Sequence, residues 1–325
     1  MLAAWYEVNG SAGNVIRIGD LSAHEPGYGE VRVKLHASGV NPSDVKSRAA
    51  RPVPDGFCIP HSDGAGIIDA VGDGVSPDRV GQRVWVWNGQ WQRSWGTAAE
   101  YITLPELQAV PLPDNTSFEE GACLGIPALT AFRAVELLGS IAGKTVVVIG
   151  AGSSVGHYVT QMAVLGGATV IGTAGSPERI ALAKASGAAY VVNYKTEPVV
   201  ERIKELTGGR GADGLIDMDF SSTAALLGQG IVAPHSTVVS YGTNTAADIP
   251  VPFRSLLFAS LTLQLFLVYD LTPPVRQHAI TRLNEWLAAG KLKHVIGARF
   301  PLAETAKAHE AVESGKVVGS VVVTA

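Results

Sequence analysis

The stretch TVVVIGAGSSVGHYVTQMA, residues 145–163, decides the fold of this chain. Its first five residues are apolar or β-branched and predict a buried strand, and a glycine-rich turn follows them. Val155, Val159 and Met162 then recur at helical spacing. A strand, a glycine turn and a helix start make a phosphate cradle, because the N–H groups and the dipole of the first helical turn favour an anion. The stretch therefore predicts a nucleotide-binding turn.

The spacing of the glycines is irregular for such a turn. Gly150, Gly152 and Gly156 follow the pattern G-x-G-x-x-x-G, which is one residue longer than the common dinucleotide fingerprint. Small residues at these positions still let a pyrophosphate approach the backbone. Because glycine turns between strands and helices are frequent, the surrounding sequence has to decide what this turn binds.

The composition is that of a well-packed globular protein. With 325 residues, 46% of them hydrophobic and 17% charged, the chain can form two domains with cores of their own. The net charge of -4 and the lack of a basic run argue against nucleic-acid binding. Cys58 and Cys123 form no CxxC motif, which fits a reducing compartment rather than a disulfide framework.

From the sequence we expect neither a signal peptide nor a membrane span. The first residues do not have the charged segment and apolar core of a signal peptide. The longest apolar run, residues 256–269, contains Ser260, Thr262 and Gln264 and is short for a membrane span. It predicts instead a buried strand with its approach. We expect a soluble, cytoplasmic protein with no membrane partner.

The chain changes its pattern near residue 127. Before this point short strands alternate with Gly, Pro and Asp turns, and Val31, Val33 and Leu35 fall on one face of the strand at residues 30–36. Further strand candidates are residues 66–71, 82–87 and 98–102. This front part predicts an all-β, barrel-like region.

After residue 127 strands and helices alternate. The strand candidates are residues 145–149, 168–173, 190–193, 214–218, 237–241 and 262–267. The helix candidates between them are residues 157–165, 177–186 and 199–206, and the tail adds helices at 275–289 and 304–314 and a strand at 317–323. Six strands in this order predict an α/β fold with a doubly wound parallel sheet.

The end of the second sheet strand indicates which nucleotide binds. In an NAD-binding domain an acidic residue near this point accepts from the ribose 2′-hydroxyl, but residues 157–177 contain none. Ser176 and Arg179 follow instead, and Tyr194 comes directly after the third strand. Hydroxyls beside a guanidinium suit a 2′-phosphate, and such a charge-assisted bond contributes about 1.5–3 kcal/mol, or roughly 10- to 100-fold in affinity. We predict NADPH rather than NADH; the alternative is that Arg179 is a solvated helix charge.

Several ordered motifs resemble one family. They are SGVNPSD (residues 38–44), IPHSDGAG (59–66), LGIPALTA (124–131), GTAGS (172–176), FPL (300–302) and AHE (308–310). Together with the glycine turn they resemble the medium-chain dehydrogenase/reductase superfamily, in particular its zinc-free quinone oxidoreductase branch, which includes zeta-crystallin. The resemblance implies a six-stranded Rossmann sheet inserted in a β-rich, GroES-like barrel. It also implies a catalytic domain of residues 1–126 and 268–325, an NADP-binding domain of residues 127–267, and a homodimer.

The residues at the metal positions of this family do not suit zinc. Zinc-dependent relatives carry a Cys in the segment that ends here at Asn41, and a His-Glu pair where this chain has Ser62 and Asp63. Asn41 and Ser62 cannot replace a thiolate and an imidazole as zinc ligands. Residues 91–100 also lack the four cysteines of a structural zinc loop. We expect no metal, and we interpret His61 as a turn or core residue.

The resemblance also implies catalytic residues. Without a metal, hydride transfer requires an acceptor that is already electron-poor, such as a quinone or an α,β-unsaturated carbonyl. By resemblance, Asn41 lies near the nicotinamide and the acceptor, and Asp44 supports it. Lys46 stands where the branch often carries a Tyr, so it would donate to a substrate oxygen or reach a cofactor phosphate. From the residues alone, Asn41, Pro42 and Asp44 favour a turn.

Matched positions imply the cofactor contacts. The predicted cofactor-binding residues are Asn41, Lys46, Thr130, Gly152, Ser153, Ser154, Val155, Gly175, Ser176, Arg179, Tyr194, Ser240, Tyr241, Gly242, Leu265, Phe266 and Leu267. Thr130 is expected near the carboxamide and residues 152–155 around the pyrophosphate, where two serines in glycine positions stiffen the turn. Residues 240–242 follow the fifth strand at the carboxyl edge of the sheet. Residues 265–267 would offer backbone groups to the nicotinamide amide, or form a buried or dimer-edge strand.

The sequence therefore predicts an enzyme, an NADPH-dependent quinone oxidoreductase. An enone or alkenal reductase on the same scaffold is a close alternative, since residues 48–57 and 85–95 carry no readable pocket signature. A zinc alcohol dehydrogenase and a non-catalytic, crystallin-like binding protein are further alternatives, and the acidic balance disfavours RNA binding. The expected partners are a small-molecule substrate and a second copy of the chain.

Overall fold

The computed structural model describes residues 1–325, apart from the side chain of Pro54. Its strands are β1 (Leu2–Trp5), β2 (Arg17–Asp20), β3 (Glu30–Val40), β4 (Asp63–Val71), β5 (Arg83–Val86), β6 (Tyr101–Pro105), β7 (Ala109–Pro111), β8 (Thr145–Val148), β9 (Thr169–Ala174), β10 (Tyr190–Asn193), β11 (Ala212–Asp217), β12 (Val232–Ser240), β13 (Thr262–Leu265), β14 (Ile296–Pro301) and β15 (Ser320–Thr324). Its helices are α1 (Ala12–Val15), α2 (Pro42–Ala50), α3 (Phe118–Gly121), α4 (Leu129–Leu137), α5 (Gly156–Leu165), α6 (Pro177–Ala185), α7 (Val199–Leu206), α8 (Phe220–Leu227), α9 (Phe253–Phe258), α10 (Pro273–Ala288) and α11 (Thr305–Glu313).

The chain divides into two units. One consists of Met1–Pro127 with Ile280–Ala325, and the other is Ala128–Ala279. We expected the inserted domain to end at residue 267, and the second unit instead includes the first part of α10. The guanidinium of Arg276 on that helix is buried and donates to the carbonyls of Val268 and Tyr269, at 3.0 and 3.1 Å, which ties the start of α10 to this unit.

The second unit is built on six parallel strands in the order β10-β9-β8-β11-β12-β13. Each of the first five strands contributes to its core, in that order with Val192, Ile171, Val147, Leu215 and Val238 among the buried side chains. The strand order reverses between β8 and β11, and ligands bind outside the carboxyl ends of the strands at such a point. The prediction of a doubly wound parallel sheet is confirmed.

The first unit is built on a sheet with the order β14-β15-β3-β4-β5-β7, and β6 pairs with β3 as well. Val31, Val33 and Leu35 of β3 are buried together, as their alternation predicts. β15 pairs antiparallel with β3, with Val321 opposite Val40. Because the last strand of the chain pairs with β3 near its beginning, both ends of the chain lie in one unit.

The apolar run at residues 256–269 does not form the buried strand that its composition predicted. It contains the end of α9 and then β13, which occupies the edge of the sheet beside β12. Phe258 and Leu265 are 74% and 67% exposed. The strand predicted at residues 262–267 is present as β13, but the prediction of its burial was wrong because hydrophobicity alone does not distinguish a central strand from an edge strand. Within the part of the chain that the structure describes, none of the helices has both the length and the apolar character that crossing a membrane requires.

Candidate functional site

The glycine turn connects β8 to α5 and is held against β9. Gly150 has φ +70°, a backbone conformation that glycine adopts at low cost. Its N–H donates to Thr173 Oγ1 at 3.0 Å, and the N–H of Ala151 donates to the Thr173 carbonyl at 2.9 Å. Ser153 Oγ accepts from the N–H of Gly156 at 2.9 Å. The hydroxyl of Ser153 therefore caps the start of α5, which is how a serine is accommodated at a glycine position of this turn.

Gly152 allows the turn to approach the first turn of α6. A Cβ built on Gly152 would lie 2.3 Å from the carbonyl oxygen of Arg179, so no other residue fits there without a backbone shift. The guanidinium of Arg179 donates to the Gly152 carbonyl at 3.0 Å. The N-cap Ser176 accepts from the N–H of Arg179 at 3.4 Å. The predicted pyrophosphate turn and the predicted 2′-phosphate residues are thus direct neighbours.

Tyr194 completes this group from the end of β10. A Cβ built on Gly175 would lie 2.4 Å from the Tyr194 ring, so the ring lies directly over the glycine. The ring is 54% exposed. The ends of β9 and β10 therefore bring Gly175, Ser176, Arg179 and Tyr194 together and leave a tyrosine face and a guanidinium near the surface.

The ends of β11 and β12 carry a buried carboxyl that sequence reasoning missed. Asp217 Oδ2 accepts from Thr223 Oγ1 at 2.7 Å and from Ser240 Oγ at 3.3 Å. Burial raises the pKa of Asp217, in spite of these hydrogen bonds. The predicted residue Ser240 is thus held by Asp217, and the carbonyl of Gly242 accepts from the N–H of Phe220 at 2.9 Å. The sequence signal for this carboxyl was the acidic residue at the end of the apolar segment GLID, residues 214–217.

The predicted residues at the carboxyl end of β13 line a cavity of 240 Å³ in the second unit. Leu265, Phe266 and Leu267 share it with Arg133 of α4 and Asp270, among others. Thr130 lies in the first turn of the same helix α4, where it is buried. Phe266 also contacts Tyr241, with ring centroids 6.2 Å apart. The structure thus gathers the predicted nicotinamide residues on α4 and at the ends of β12 and β13.

In the first unit, Asn41 starts a helix rather than a turn. β3 ends at Val40, Asn41 is the N-cap of α2, and Pro42 takes the first helical position. The carboxylate of Asp44 accepts from the backbone N–H of Asn41 at 2.7 Å, as in a capping box. The turn interpretation of these residues was wrong because the same residue types also mark a helix start. Lys46 is exposed on this helix, whereas Asn41 and Asp44 are buried.

A second buried carboxyl holds the side chain of Asn41. Its amide Nδ2 donates to Asp63 Oδ2 at 2.8 Å, and Asp63 has no exposed surface. Burial raises the pKa of Asp63 well above its ordinary value, and the charge of Asp44 adds to this effect. Burial also raises the pKa of Asp44 to about 7. Asn41 is therefore an ordered amide between two carboxyls that resist ionisation.

His61 is buried in the core of the first unit, and Ser62 beside it is buried as well. Across the described residues, His, Cys, Asp and Glu side chains form no group of three or more that is arranged to hold a metal ion. Asn41 supplies an amide and Ser62 a hydroxyl at the two positions where zinc-dependent relatives would supply a thiolate and an imidazole. These donors are poor ligands for zinc.

Comparisons with known proteins agree with this architecture. Residues 27–114 match the family model of the alcohol dehydrogenase GroES-like domain, and residues 154–288 match that of the zinc-binding dehydrogenases. The zinc-binding dehydrogenase match does not include positions 41 and 62, the two metal positions discussed above. Quinone oxidoreductase from Rattus norvegicus is 33% identical over 307 residues, which cover 92% of this chain and 90% of that protein.

Two solved structures cover the whole chain and are covered by it completely. One is an NAD-dependent alcohol dehydrogenase, with a TM-score of 0.89 and 31% identity. The other is a mycobacterial protein in complex with NADPH, with a TM-score of 0.89 and 29% identity. The fold and the family models define the class, the medium-chain dehydrogenase/reductase superfamily. Within it the chain belongs to the quinone oxidoreductase branch, and it is an oxidoreductase.

Proposed function

We propose that this chain is an NADPH-dependent quinone oxidoreductase. The observation that carries the proposal is the group formed by Ser176, Arg179 and Tyr194 at the ends of β9 and β10, together with the lack of any acidic residue in residues 157–177, where an NAD-binding domain carries the acid for its ribose 2′-hydroxyl. Support also comes from the rat quinone oxidoreductase and from the mycobacterial relative that was solved with NADPH.

The residues of the second unit fit this cofactor. Gly152 packs against the backbone of Arg179 and Gly175 packs under the Tyr194 ring, so the glycine turn and the predicted 2′-phosphate residues lie side by side. Residues 152–155 would hold the pyrophosphate, and Arg179 with Ser176 would hold the 2′-phosphate by charge-assisted hydrogen bonds. Thr130 and residues 240–242 and 265–267 would hold the nicotinamide half. When bound, NADPH supplies a hydride from C4 of its nicotinamide.

Asn41 is the proposed catalytic residue of the first unit. Its backbone is held by Asp44 and its side chain by Asp63, so its amide can orient an acceptor oxygen without rearranging first. An amide polarises an oxygen less than a zinc ion does, which favours electron-poor acceptors such as quinones. Lys46 is exposed on α2, where its charge would attract an anionic group of cofactor or substrate. We therefore assign selection of the acceptor to the first unit and binding of NADPH to the second unit.

The edge of the second unit supports a homodimer. Phe253, Leu257 and Phe258 of α9 and Leu263 and Leu265 of β13 form an exposed apolar surface along an edge strand. Edge strands expose unpaired backbone groups, and large exposed apolar patches mark interaction sites. A second copy of the chain, related by a two-fold axis, would cover the same surface on both copies.

The cofactor proposal is tested by the Michaelis constants for NADPH and NADH in the wild type, Arg179→Ala and Arg202→Ala. Arg202 is a half-exposed arginine of α7 that is paired with Glu205 and serves as the matched control. We expect Arg179→Ala to raise KM for NADPH by about 10- to 100-fold more than KM for NADH, since only NADPH carries the 2′-phosphate. Equal or tighter use of NADH by the wild type would contradict the proposal.

The acceptor is tested by product analysis. Purified protein is given NADPH with a quinone, with an enone and with a simple ketone, and its zinc content is measured by atomic spectroscopy. We expect hydroquinone as the main product and less than stoichiometric zinc. Faster reduction of the enone would make the protein a double-bond reductase. Stoichiometric zinc with turnover of an alcohol would assign it to the alcohol dehydrogenases.

A further inference from the structure

Four buried polar side chains form a chain of hydrogen bonds in the first unit, outside the residues assigned above. His309 Nε2 lies 2.9 Å from His61 Nε2, and His61 Nδ1 lies 2.8 Å from Ser38 Oγ. Ser38 Oγ lies 2.7 Å from Thr97 Oγ1, and Thr97 Oγ1 lies 2.6 Å from the carbonyl oxygen of Asp63. All four side chains are almost completely buried. The chain of hydrogen bonds thus ends on the residue whose carboxylate holds Asn41.

The chemistry of its last member fixes the direction of every hydrogen bond. A carbonyl oxygen only accepts, so the single hydroxyl proton of Thr97 is donated to the Asp63 carbonyl. Ser38 must then donate to Thr97, and its oxygen accepts from Nδ1–H of His61. A neutral imidazole carries one N–H, so His61 Nε2 accepts from Nε2–H of His309. Burial lowers the pKa of both histidines, which keeps them neutral.

His309 stands at the beginning of this chain. Its Nε2–H is the donor that fixes the tautomer of His61, and its Nδ1 has no hydrogen-bond partner among the described atoms. His61 has φ +75°, a conformation that L residues rarely adopt, and its carbonyl accepts from the N–H of Thr97 at 2.9 Å. The surrounding structure thus holds an unfavourable backbone at His61 and keeps its ring in the chain of hydrogen bonds.

Without the donor from His309, the direction of the chain can reverse. His61 can then move its proton to Nε2, and its Nδ1 accepts from the hydroxyl of Ser38. Ser38 in turn accepts from Thr97, because its own proton is now used. The hydroxyl of Thr97 thereby leaves the carbonyl of Asp63, which loses one of the contacts that fix its position.

We propose that His309 is a positioning residue for Asn41: by fixing the direction of the hydrogen bonds through His61, Ser38 and Thr97, it holds Asp63 and thereby the amide of Asn41. This inference rests on the proposed function, in which Asn41 orients the acceptor. His309 touches neither cofactor nor substrate in this role. It acts on the reaction only through the geometry of Asn41.

The kinetic test compares His309→Leu, His309→Gln and Thr305→Val. Leucine removes the donor, whereas the glutamine amide supplies one near the position of Nε2–H. Thr305 is a buried residue of the same helix whose hydroxyl donates to the Leu302 carbonyl at 2.7 Å, outside the chain. We expect kcat for quinone reduction to fall about 10- to 100-fold in His309→Leu, because small displacements of a positioning group cost that much. The two other variants should stay within roughly threefold of wild type, with the Kd of NADPH unchanged in all three. Equal losses in His309→Leu and Thr305→Val would overturn the proposal.

A spectroscopic test separates this inference from the proposed function. In protein labelled with 15N, the imidazole resonances of the wild type should show His61 protonated at Nδ1 and His309 protonated at Nε2. The side-chain amide resonance of Asn41 should shift in His309→Leu and stay in place in Thr305→Val. The opposite tautomers, or an Asn41 resonance that does not respond, would overturn the proposal. These measurements need no turnover, and the opposite tautomers in the wild type would overturn the proposal even if His309→Leu does not fold.

Discussion

At the scale of the residue, the geometry of the candidate site depends on a few positions whose surroundings constrain the residue type. Gly152 touches the backbone of Arg179, so its lack of a Cβ sets how closely the turn and α6 approach. Asn41 is held by a carboxyl at each of its two polar ends, the backbone N–H and the side-chain amide. His61 and His309 are neutral in the folded state because burial lowers their pKa. Each of these features can be tested by one substitution.

Gly152→Ala should destabilise the protein and weaken NADPH binding. The new Cβ would lie 2.3 Å from a backbone oxygen that cannot move without shifting α6, so we expect a loss of about 1–3 kcal/mol in the free energy of unfolding. The control is Gly13→Ala in α1, where the Cβ would meet only the flexible end of Glu310 at 3.2 Å. Denaturant unfolding and NADPH titration measure both effects. If Gly152→Ala were as stable as Gly13→Ala, the close contact between Gly152 and the backbone of Arg179 would be refuted.

His309 should contribute a pH dependence to stability. Its pKa is about 3 in the folded protein and near 6.5 in an unfolded chain, so between these values the unfolded chain binds a proton that the folded one does not. Stability therefore falls as the pH drops below 6.5. Asp44, with its pKa raised to about 7, contributes in the opposite sense, because its folded form holds the proton.

A comparison with His309→Gln isolates the contribution of this histidine, since the other groups are common to both proteins. As the pH falls from 6 to 4, the wild type should lose stability relative to the variant. The difference between their free energies of unfolding should change by about 1.4 kcal/mol per pH unit in favour of the variant. Urea unfolding at several pH values measures the difference. Parallel pH profiles of the two proteins would show that His309 titrates normally.

At the scale of the element, α2 and β13 show how neighbours give a segment its role. α2 begins with Asn41, Pro42 and Asp44, and its capping interaction fixes the backbone of the proposed catalytic residue. β13 is as apolar as a central strand, yet it lies at the edge of the sheet and exposes leucines. The first element uses a local rule of helix starts. The second exposes an apolar surface that, in the proposed dimer, a second copy of the chain covers.

Phe258→Glu should convert the proposed dimer into a monomer. The side chain is 74% exposed at the end of α9, so a charge there does not disturb the core of the unit, whereas two buried like charges at a symmetric interface would repel. Leu107→Glu, at an equally exposed leucine of the first unit, is the control and should not change the mass. Sedimentation equilibrium measures both. A wild type that is monomeric at micromolar concentration would refute the dimer.

At the scale of the whole molecule, the chain places one unit inside the sequence of the other. β15 pairs with β3, so the last strand of the chain completes a sheet that began near its start. Residues 128–279 fold in between around their own parallel sheet. A ligand of the second unit should therefore protect backbone amides within one continuous middle segment of the sequence.

Hydrogen exchange on the full chain should show this protection when NADPH binds. With NADPH at about 100 times its Kd, binding adds roughly 2.7 kcal/mol to the stability of the state that binds it. We expect the strongest protection at residues 150–156, 175–179 and 240–242, because these segments lie at the carboxyl ends of the parallel strands. Mass spectrometry of peptides measures it, with NADH at equal concentration as a control. Protection confined to residues 1–127 would contradict the assignment of the cofactor to the second unit.

Much of the fold could be predicted from the sequence because it is encoded locally. The buried strand, the glycine turn and α5 follow one another within residues 145–165, and each is specified by the periodicity of its own residues. The alternation of Val31, Val33 and Leu35 fixed the buried face of β3 in the same way. The residue types at positions 176 and 179 already pointed to a phosphate, and the structure places them beside the turn.

The remainder was decided by tertiary structure. The contact between His61 and His309 joins residues 248 positions apart, and no local pattern marks either as a partner of the other. Asp217 becomes a buried acceptor only because β12 lies beside β11 and brings Ser240 to it. The exposure of β13 depends on its place at the sheet edge rather than on its residues. The sequence by itself determined which segments are strands, helices and turns, since local periodicity and backbone preferences encode them. Which buried polar groups meet was decided only when the strands paired, because hydrogen bonds between distant residues depend on where the folded chain brings them.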